Sequence, residues 1–494
     1  MASRSFRFRA AIRMAPVLLL LQISLAAGEG KYDYSSIREE YSEAVCLLER
    51  ADQGGGPRDE ASRCLLDRPV DLREAIGIAI QNNPDSQMAM TRIRQTEAAL
   101  EMSRAAFYPA LGIYTEYLQG DAPSAYLFKT IDQRSLPPGT DFNDPGWFRN
   151  METGLVGKIN LFNGGRDWLQ NRMAATQVTI SRLDRLAVEN SLAAAVISAY
   201  YDYLAAQDFI KIAEESVATV QSQLDIMTAR YRAGGALKSD ILSLEVRLAR
   251  AREEVLISRN RSQMAMAALS NLLGLRPDRE IRFHKSTLGN IAVPEDYASG
   301  VVQALENRPE LKKVREQLSQ SRMAVDLARA EYLPTLDLQG KYYHDDPDFA
   351  YDQDRQNWTV GMVLNWYFFT GLSTRAAHRQ SSARLEEILA GDRKNVLSIQ
   401  LDVKNAYLKL EEARARLTVA EKSVVSAEES LALVKVQFEG GSATITRYLE
   451  AELARNSARI SSTTAFFDRE KALADIGRAV GLLGPMFRHD REGG

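Results

Sequence analysis

The sequence predicts a mainly α protein with a membrane β part: duplicated long coiled-coil hairpins plus four β-strands per chain. Three observations predict it. The chain repeats itself at two fixed offsets. Each copy holds a proline-free run of some 67 residues that carries a heptad seam. Four short segments of period-two alternation lie between the helical runs.

The repeat sets the domain organisation. Asn83-Pro84 recurs as Arg308-Pro309, Pro109 as Pro334 and Leu111 as Leu336, all at an offset of 225. Phe162, Gly164, Tyr200, Gly234, Glu245 and Gly274 return as Phe369, Gly371, Tyr407, Gly441, Glu452 and Gly481, at an offset of 207. The 18-residue difference (225 − 207) therefore lies between Leu111 and Phe162. Such self-similarity indicates one pseudo-symmetric unit built from equivalent elements. The first copy runs over 70–284 and the second over 285–485, flanked by an N-terminal extension (29–69) and a C-terminal tail (486–494).

Residues 1–28 read as a secretory signal. Arg4, Arg7, Arg9 and Arg13 form a basic n-region, Ala15–Ala27 an apolar stretch, and Ala26, Ala27 and Gly28 a small-residue cleavage region. The apolar stretch is too short for a spanning helix. Cleavage takes the formal charge from −3 to −7 (−3 − 4), which leaves no basic excess to attract nucleic acid. No later segment resembles a transmembrane helix, so any membrane crossing by this exported chain requires a closed β-barrel. Cys46 and Cys64 both precede the first repeat, around Gly54-Gly55-Gly56-Pro57. They allow a disulfide in an oxidising compartment or two buried thiols on short helices.

Helices are predicted over 166–233 and 373–439. In the second copy Ile399, Val403, Ala406, Leu410, Ala413 and Leu417 alternate in steps of three and four, and the seam continues to Phe438. In the first copy it runs from Leu192 and Val196 to Met227 and Tyr231. This alternation is the coiled-coil signature. At 1.5 Å per residue each run would be about 100 Å long, far beyond the needs of a globular core. Gly234-Gly235 and Gly440-Gly441 end the runs, since glycine accepts the left-handed conformation that closes a helix. Return helices follow over 238–273 and 446–483, which makes two antiparallel hairpins.

The strands are predicted at 109–119, 154–162, 334–343 and 358–368. Leu111, Ile113 and Tyr117 share one face, with Tyr114 and Glu116 on the other. Leu336, Leu338 and Tyr342 oppose Asp337, Gln339 and Lys341. An apolar and a mostly polar face over about ten residues fit a tilted strand crossing an outer membrane, with Trp358, Trp366, Tyr367, Phe368 and Phe369 as interfacial aromatics. A soluble sheet packed on helices shows the same alternation. Four strands cannot enclose a wet lumen, so spanning strands require several copies per barrel. The excess residues fall in the connection 120–153, expected on the exterior side.

These residues resemble the TolC-type outer-membrane efflux protein family (outer membrane factors). The likeness rests on Arg104 to Pro109 and Arg329 to Pro334 before the strands, Leu161-Phe162-Asn163-Gly164-Gly165-Arg166 after one, and the glycine turns followed by Ser239-Asp240-Ile241-Leu242 and Tyr448-Leu449-Glu450-Ala451-Glu452. It covers about Val70 to Leu483. The resemblance implies a homotrimer whose three sets of four strands form a 12-stranded barrel on an α-helical periplasmic tunnel. It implies outer-membrane lipid as surroundings. It also implies a periplasmic adaptor (membrane fusion) protein and an inner-membrane transporter of RND or ABC type as partners, and passive conduction to the exterior.

The resemblance further implies a periplasmic gate at the hairpin tips. By position Asp240 matches a gate aspartate with Ser239 beside it, Phe438 an aromatic gate position and Glu450 an acidic one. Ala443 stands where some members carry Arg, and Arg447 where some carry Asp. Arg447 is therefore expected to supply the cation, paired with Asp240 or Glu450 across neighbouring hairpins; the alternative is a set of solvated charges near helix ends. Gly234, Gly235, Gly441 and Ser442 are the expected adaptor-docking tips.

No catalytic constellation stands out. His284, His344, His378 and His489 lack metal-ligand spacing, and there is no Gly-Lys-Ser/Thr phosphate loop. The expectation is a duct rather than an enzyme, with no cofactor and no nucleic-acid partner. A structural coiled-coil envelope protein without a through-pore is the alternative.

Overall fold

Two 67-residue helices set the architecture. The computed structural model describes residues 69–277, 281–286, 293–348 and 353–486. The signal segment, Cys46, Cys64 and nearly all of the extension and tail lie outside the described residues. From Asp71 onward the chain forms one unit. Its first copy contains α1 (Leu72–Asn82), α2 (Pro84–Arg104), β1 (Ala110–Gly120), α3 (Pro123–Asp132), β2 (Phe148–Phe162), α4 (Arg166–Arg232) and α5 (Lys238–Leu272). The second contains α6 (Tyr297–Asn307), α7 (Pro309–Ala330), β3 (Thr335–Asp346), β4 (Gln356–Asn365), α8 (Ser373–Glu439), α9 (Ile445–Ala479) and the short α10 (Leu483–Met486). Equivalent long helices match in length: 67 residues for α4 and α8, 35 for α5 and α9.

Local chemistry explains the element boundaries. Asp71 caps α1 by accepting the Glu74 N–H at 2.7 Å, and Asn83 caps α2 by accepting the Asp85 N–H at 2.8 Å. Pro84 and Pro309 open α2 and α7, where the missing N–H costs nothing.

The strands form one antiparallel sheet in the order β1-β2-β3-β4. One row across it reads Tyr114, Gly154, Tyr343, Asn357. β1 and β4 are its outer edges, unpaired among the described residues. Three expectations need correction here. β2 begins at Phe148 rather than 154, because its first residues pair in register with the end of β1. The connection 120–153 is not all loop: Pro123 opens α3 within it. β4 also ends at Asn365, which leaves Trp366 to Phe369 beyond the sheet.

The heptad seam of α8 is buried as predicted at Ile399, Val403, Ala406, Leu410, Ala413, Leu417, Ala420, Leu431, Val434 and Phe438. In α4 the seam holds at Leu192, Val196, Ala206, Ala213, Val220 and Met227, but Tyr231 is exposed and burial spreads to Ile197, Tyr200, Tyr201 and Leu204. The cause is packing. α4 meets α1, α2, α5, α7 and α9, whereas α8 meets α6, α7 and α9. A helix with neighbours all round needs more than one apolar stripe. The duplication extends to single contacts: the hydroxyls of Tyr200 and Tyr407 donate to the backbone carbonyls of His284 and Pro294.

A buried ion pair joins the two hairpins. Glu452 on α9 is fully buried, with Arg247 of α5 at 2.5 Å. The Ser216 hydroxyl of α4 donates to the same carboxylate at 2.7 Å, and the Asn456 amide donates as well. Glu245, the repeat counterpart of Glu452, is exposed.

Each copy also closes on itself through a glycine. Gly274 has φ +70°, and a Cβ there would meet the Asn82 carbonyl oxygen at 2.5 Å. Gly481 has φ +78°, with the Arg308 nitrogen at 3.2 Å from the same position. Gly274→Ala should therefore lower stability by roughly 1–3 kcal/mol through backbone strain, and Gly481→Ala by less; thermal unfolding of the purified protein ranks the two. Arg247→Met should cost about 3–5 kcal/mol by stranding a buried carboxylate, while Arg247→Met with Glu452→Met should recover most of it. A double-mutant cycle in which the double variant loses the sum of the two single losses would show that the two side chains do not interact.

Candidate functional site

The sheet has two chemically distinct faces. Leu111 and Ile113 on one face are 82% and 80% exposed, and Leu155, Tyr342, Trp358, Val360, Met362 and Leu364 on the same face are exposed as well. The opposite face carries Lys158, Asn160, Asp337, Gln339 and Lys341, where the Asn160 amide donates to Asp337 at 2.9 Å. Large apolar side chains standing free along one face are stable only against lipid or another apolar surface. Aromatic residues bracket the apolar band. Tyr117, Tyr342 and Trp358 lie towards the connections, while Trp366, Tyr367, Phe368 and Phe369 lie at the helical end, where Phe368 is 92% exposed. Trp358 and Trp366 are about 26 Å apart along the chain at 3.3 Å per residue, of the order of the apolar band of outer-membrane barrels. Among the described residues no helix is long and apolar enough to cross a membrane.

At the end of the sheet away from the long helices, the polar face carries a built charge cluster. Lys129 of α3 pairs with Glu152 of β2 and, at 3.2 Å, with Asp345 of β3. Lys341 pairs with the other Glu152 oxygen and sits over the Tyr114 and Tyr343 rings at 4.6 and 4.7 Å. Asn150 donates to Asp345 at 2.6 Å. Burial works against the Lys129 ammonium, but the Glu152 and Asp345 carboxylates outweigh it and hold its pKa above the ordinary value. Burial, followed by the nearby Asp345 charge, pushes Asp132 up. This cluster escaped sequence reasoning, because its members come from three separate elements. Pro123 before Tyr126, Leu127 and Thr130 was the available signal for α3.

At the opposite end, both hairpin tips close alike. The Gly235 N–H donates to the Arg230 carbonyl and the Ser442 N–H to the Gln437 carbonyl, each at 2.8 Å. Gly234 and Gly441 take φ of +78° and +80°, the left-handed residue this closure needs. A Cβ at either would meet nothing within 4 Å, so both tips are open on their outer side. Phe438 stacks on Tyr448 with ring centroids 5.4 Å apart, inside a core shared with Val220, Met227 and Leu244. It therefore shapes the tip from within.

The charged candidates lie nearby but apart. Asp240, in the first turn of α5, accepts the Leu237 N–H at 3.4 Å, where the helix N-terminus favours its charge. Ser239, Arg447 and Glu450 are exposed. The Arg447 guanidinium makes no ion pair among the described residues. One chain thus joins Phe438 to Tyr448, but no ion pair links Asp240, Arg447 and Glu450 among the described residues.

Comparison with known proteins fits this geometry. The model of the family described as outer membrane efflux protein matches residues 75–275 and 300–482. The pyoverdine export outer membrane protein OpmQ of Pseudomonas aeruginosa is 24% identical over 423 residues, spanning 84% of this chain and 85% of its own. The alkaline protease secretion protein AprF of the same species is 25% identical over 422 residues, spanning 83% of this chain and 84% of its own. The crystal structure of the Campylobacter jejuni CmeC outer membrane channel superposes with a TM-score of 0.73 at 15% identity, over 83% of this chain and 85% of that one. With both repeats covered by one family model, the chain belongs to the outer membrane efflux protein family and is an outer-membrane exit duct with its helical part in the periplasm.

Proposed function

We propose that three copies assemble side by side, with β4 of one pairing with β1 of the next, to close a 12-stranded barrel (3 × 4) above a tunnel of helical hairpins. The observation that carries this reading is the open, two-faced sheet. Its edge N–H and C=O groups have no partner strand among the described residues, and in lipid each must find one. α8 supports it with a second apolar stripe. Leu397, Leu401, Leu408, Val419, Leu433 and Val436 are exposed two residues off the buried seam, on the side free for a neighbouring copy.

The assembled duct takes cargo from a periplasmic adaptor seated at Gly234, Gly235, Gly441 and Ser442, fed by an inner-membrane transporter of RND or ABC type. OpmQ and AprF, by their names, serve pyoverdine export and alkaline protease secretion, so both kinds of cargo suit this architecture. Ser239, Asp240, Arg447 and Glu450 lie on exposed or half-buried tip surface, where a pairing between copies would close the duct; Phe438 holds the tip rigid behind them.

Purified protein should insert into planar bilayers as trimers and conduct ions. A monomeric, detergent-free soluble form without conductance would instead indicate a structural coiled-coil protein. Reversing one charge at a time, Asp240→Arg or Arg447→Asp, should raise single-channel conductance several-fold. Unchanged conductance in both would remove the latch but leave the duct.

A further inference from the structure

The helix α3 lies across the polar face of the sheet, although its segment reads as an exterior loop. Its contacts reach three strands. Lys129 pairs with Glu152 and Asp345, the Gln133 amide donates to Asn150 at 2.7 Å and to the Arg149 carbonyl at 2.9 Å, and the Asn357 amide donates to the Asp132 carbonyl at 3.2 Å. Arg134 donates to the Asn357 side-chain oxygen at 3.0 Å. Asn150, Glu152, Asp345 and Asn357 all share the face of Lys341 and Lys158, opposite Leu155, Tyr342 and Trp358.

The docking is built into the charge balance. Glu152 and Asp345 are 3% and 0% exposed. Without α3 these two carboxylates would face one cation, Lys341. Lys129 supplies the second, and the Asp132 carboxylate that α3 also brings is offset by Arg134, which leaves the cluster neutral, the condition under which buried charges are tolerated. The helix presents its other side outward, with Phe128 66% and Ile131 43% exposed one turn apart.

We propose that α3 is a constriction helix folded into the lumen at the outer mouth, a size filter pinned by Lys129 and Gln133 and faced by Phe128 and Ile131. This rests on the duct reading, in which the polar face lines the lumen. Symmetric copies bring three such helices toward one axis, and an apolar ring there narrows the water path and resists wetting. Bulky molecules from outside are held off, and outbound cargo must displace the helices.

The test reads access from the outside, which periplasmic gating does not affect. Gly361 lies on the polar face of β4, and a Cβ there meets nothing within 4 Å, so Gly361→Cys is a benign reporter. It sits roughly 20 Å deeper than the Glu152 row, at six residues per strand. Intact cells are labelled with a small charged methanethiosulfonate and, separately, with a long polyethylene-glycol maleimide; cells carrying the protein without Gly361→Cys serve as the blank. The small reagent should react in the parent, whereas the polymer should react slowly. Lys129→Ala with Gln133→Ala should speed polymer labelling by about 10-fold or more, as charge-assisted hydrogen bonds are lost. Phe128→Ala, which keeps every pin, should speed it by a smaller factor. Equal polymer rates in parent, pin and Phe128 variants would overturn the constriction while leaving the duct intact. No reaction of either reagent in any background would show that the polar face is not a lumen, and would overturn both.

Discussion

A strand in lipid must satisfy every backbone polar group with another strand, since no water is present to take its place. That constraint organises the whole molecule. Each chain offers a four-stranded antiparallel sheet whose edges, β1 and β4, are unpaired among the described residues. The strands run 11, 15, 12 and 10 residues, enough to cross an apolar layer when tilted. Their alternation separates an apolar surface from a polar one, and register makes that separation hold across all four strands. The helices continue the same logic in water. There, backbone bonds close within each helix, and the apolar seams and stripes decide which neighbours meet.

Much of this was legible in the sequence because periodicity reports burial directly. The long-helix ends were readable to within a residue from Gly164-Gly165 and Gly440-Gly441. The α8 seam was readable as written, since that helix has one main packing face. The α4 seam was only partly readable. Tyr200, Tyr201 and Leu204 lie off it, and Tyr200 and Tyr201 are covered by Phe283 and by Phe467 of α9, which arrive from elsewhere in the chain. α3 was missed for a related reason. Its ten residues are held in place by Glu152, Asn150 and Asp345, the last of them over 200 residues distant.

The repeat also concealed as much as it revealed. Glu245 and Glu452 are equivalent by sequence, yet one is exposed and the other is the buried centre of the contact between hairpins. The difference lies in Arg247, whose counterpart is Ala454, and in Asn456, whose counterpart is Ala249. Two hairpins of the same shape thereby acquire a fixed partner side. The tips follow the same rule: identical backbone closures carry Asp240 on one hairpin and Arg447 on the other. Shape is duplicated, and charge is where the copies diverge.

The matched helix lengths carry a further consequence. With 67 and 67 residues descending and 35 and 35 returning, both tips finish level below the sheet. Adding one residue to a single helix would turn everything beyond it by about 100° and take its seam out of contact. Seven residues added to all four helices would preserve every contact and lengthen the duct by about 10 Å. The reach of this protein across its compartment is therefore quantised: its descendants can grow or shrink by whole heptads, in both halves together, or not at all.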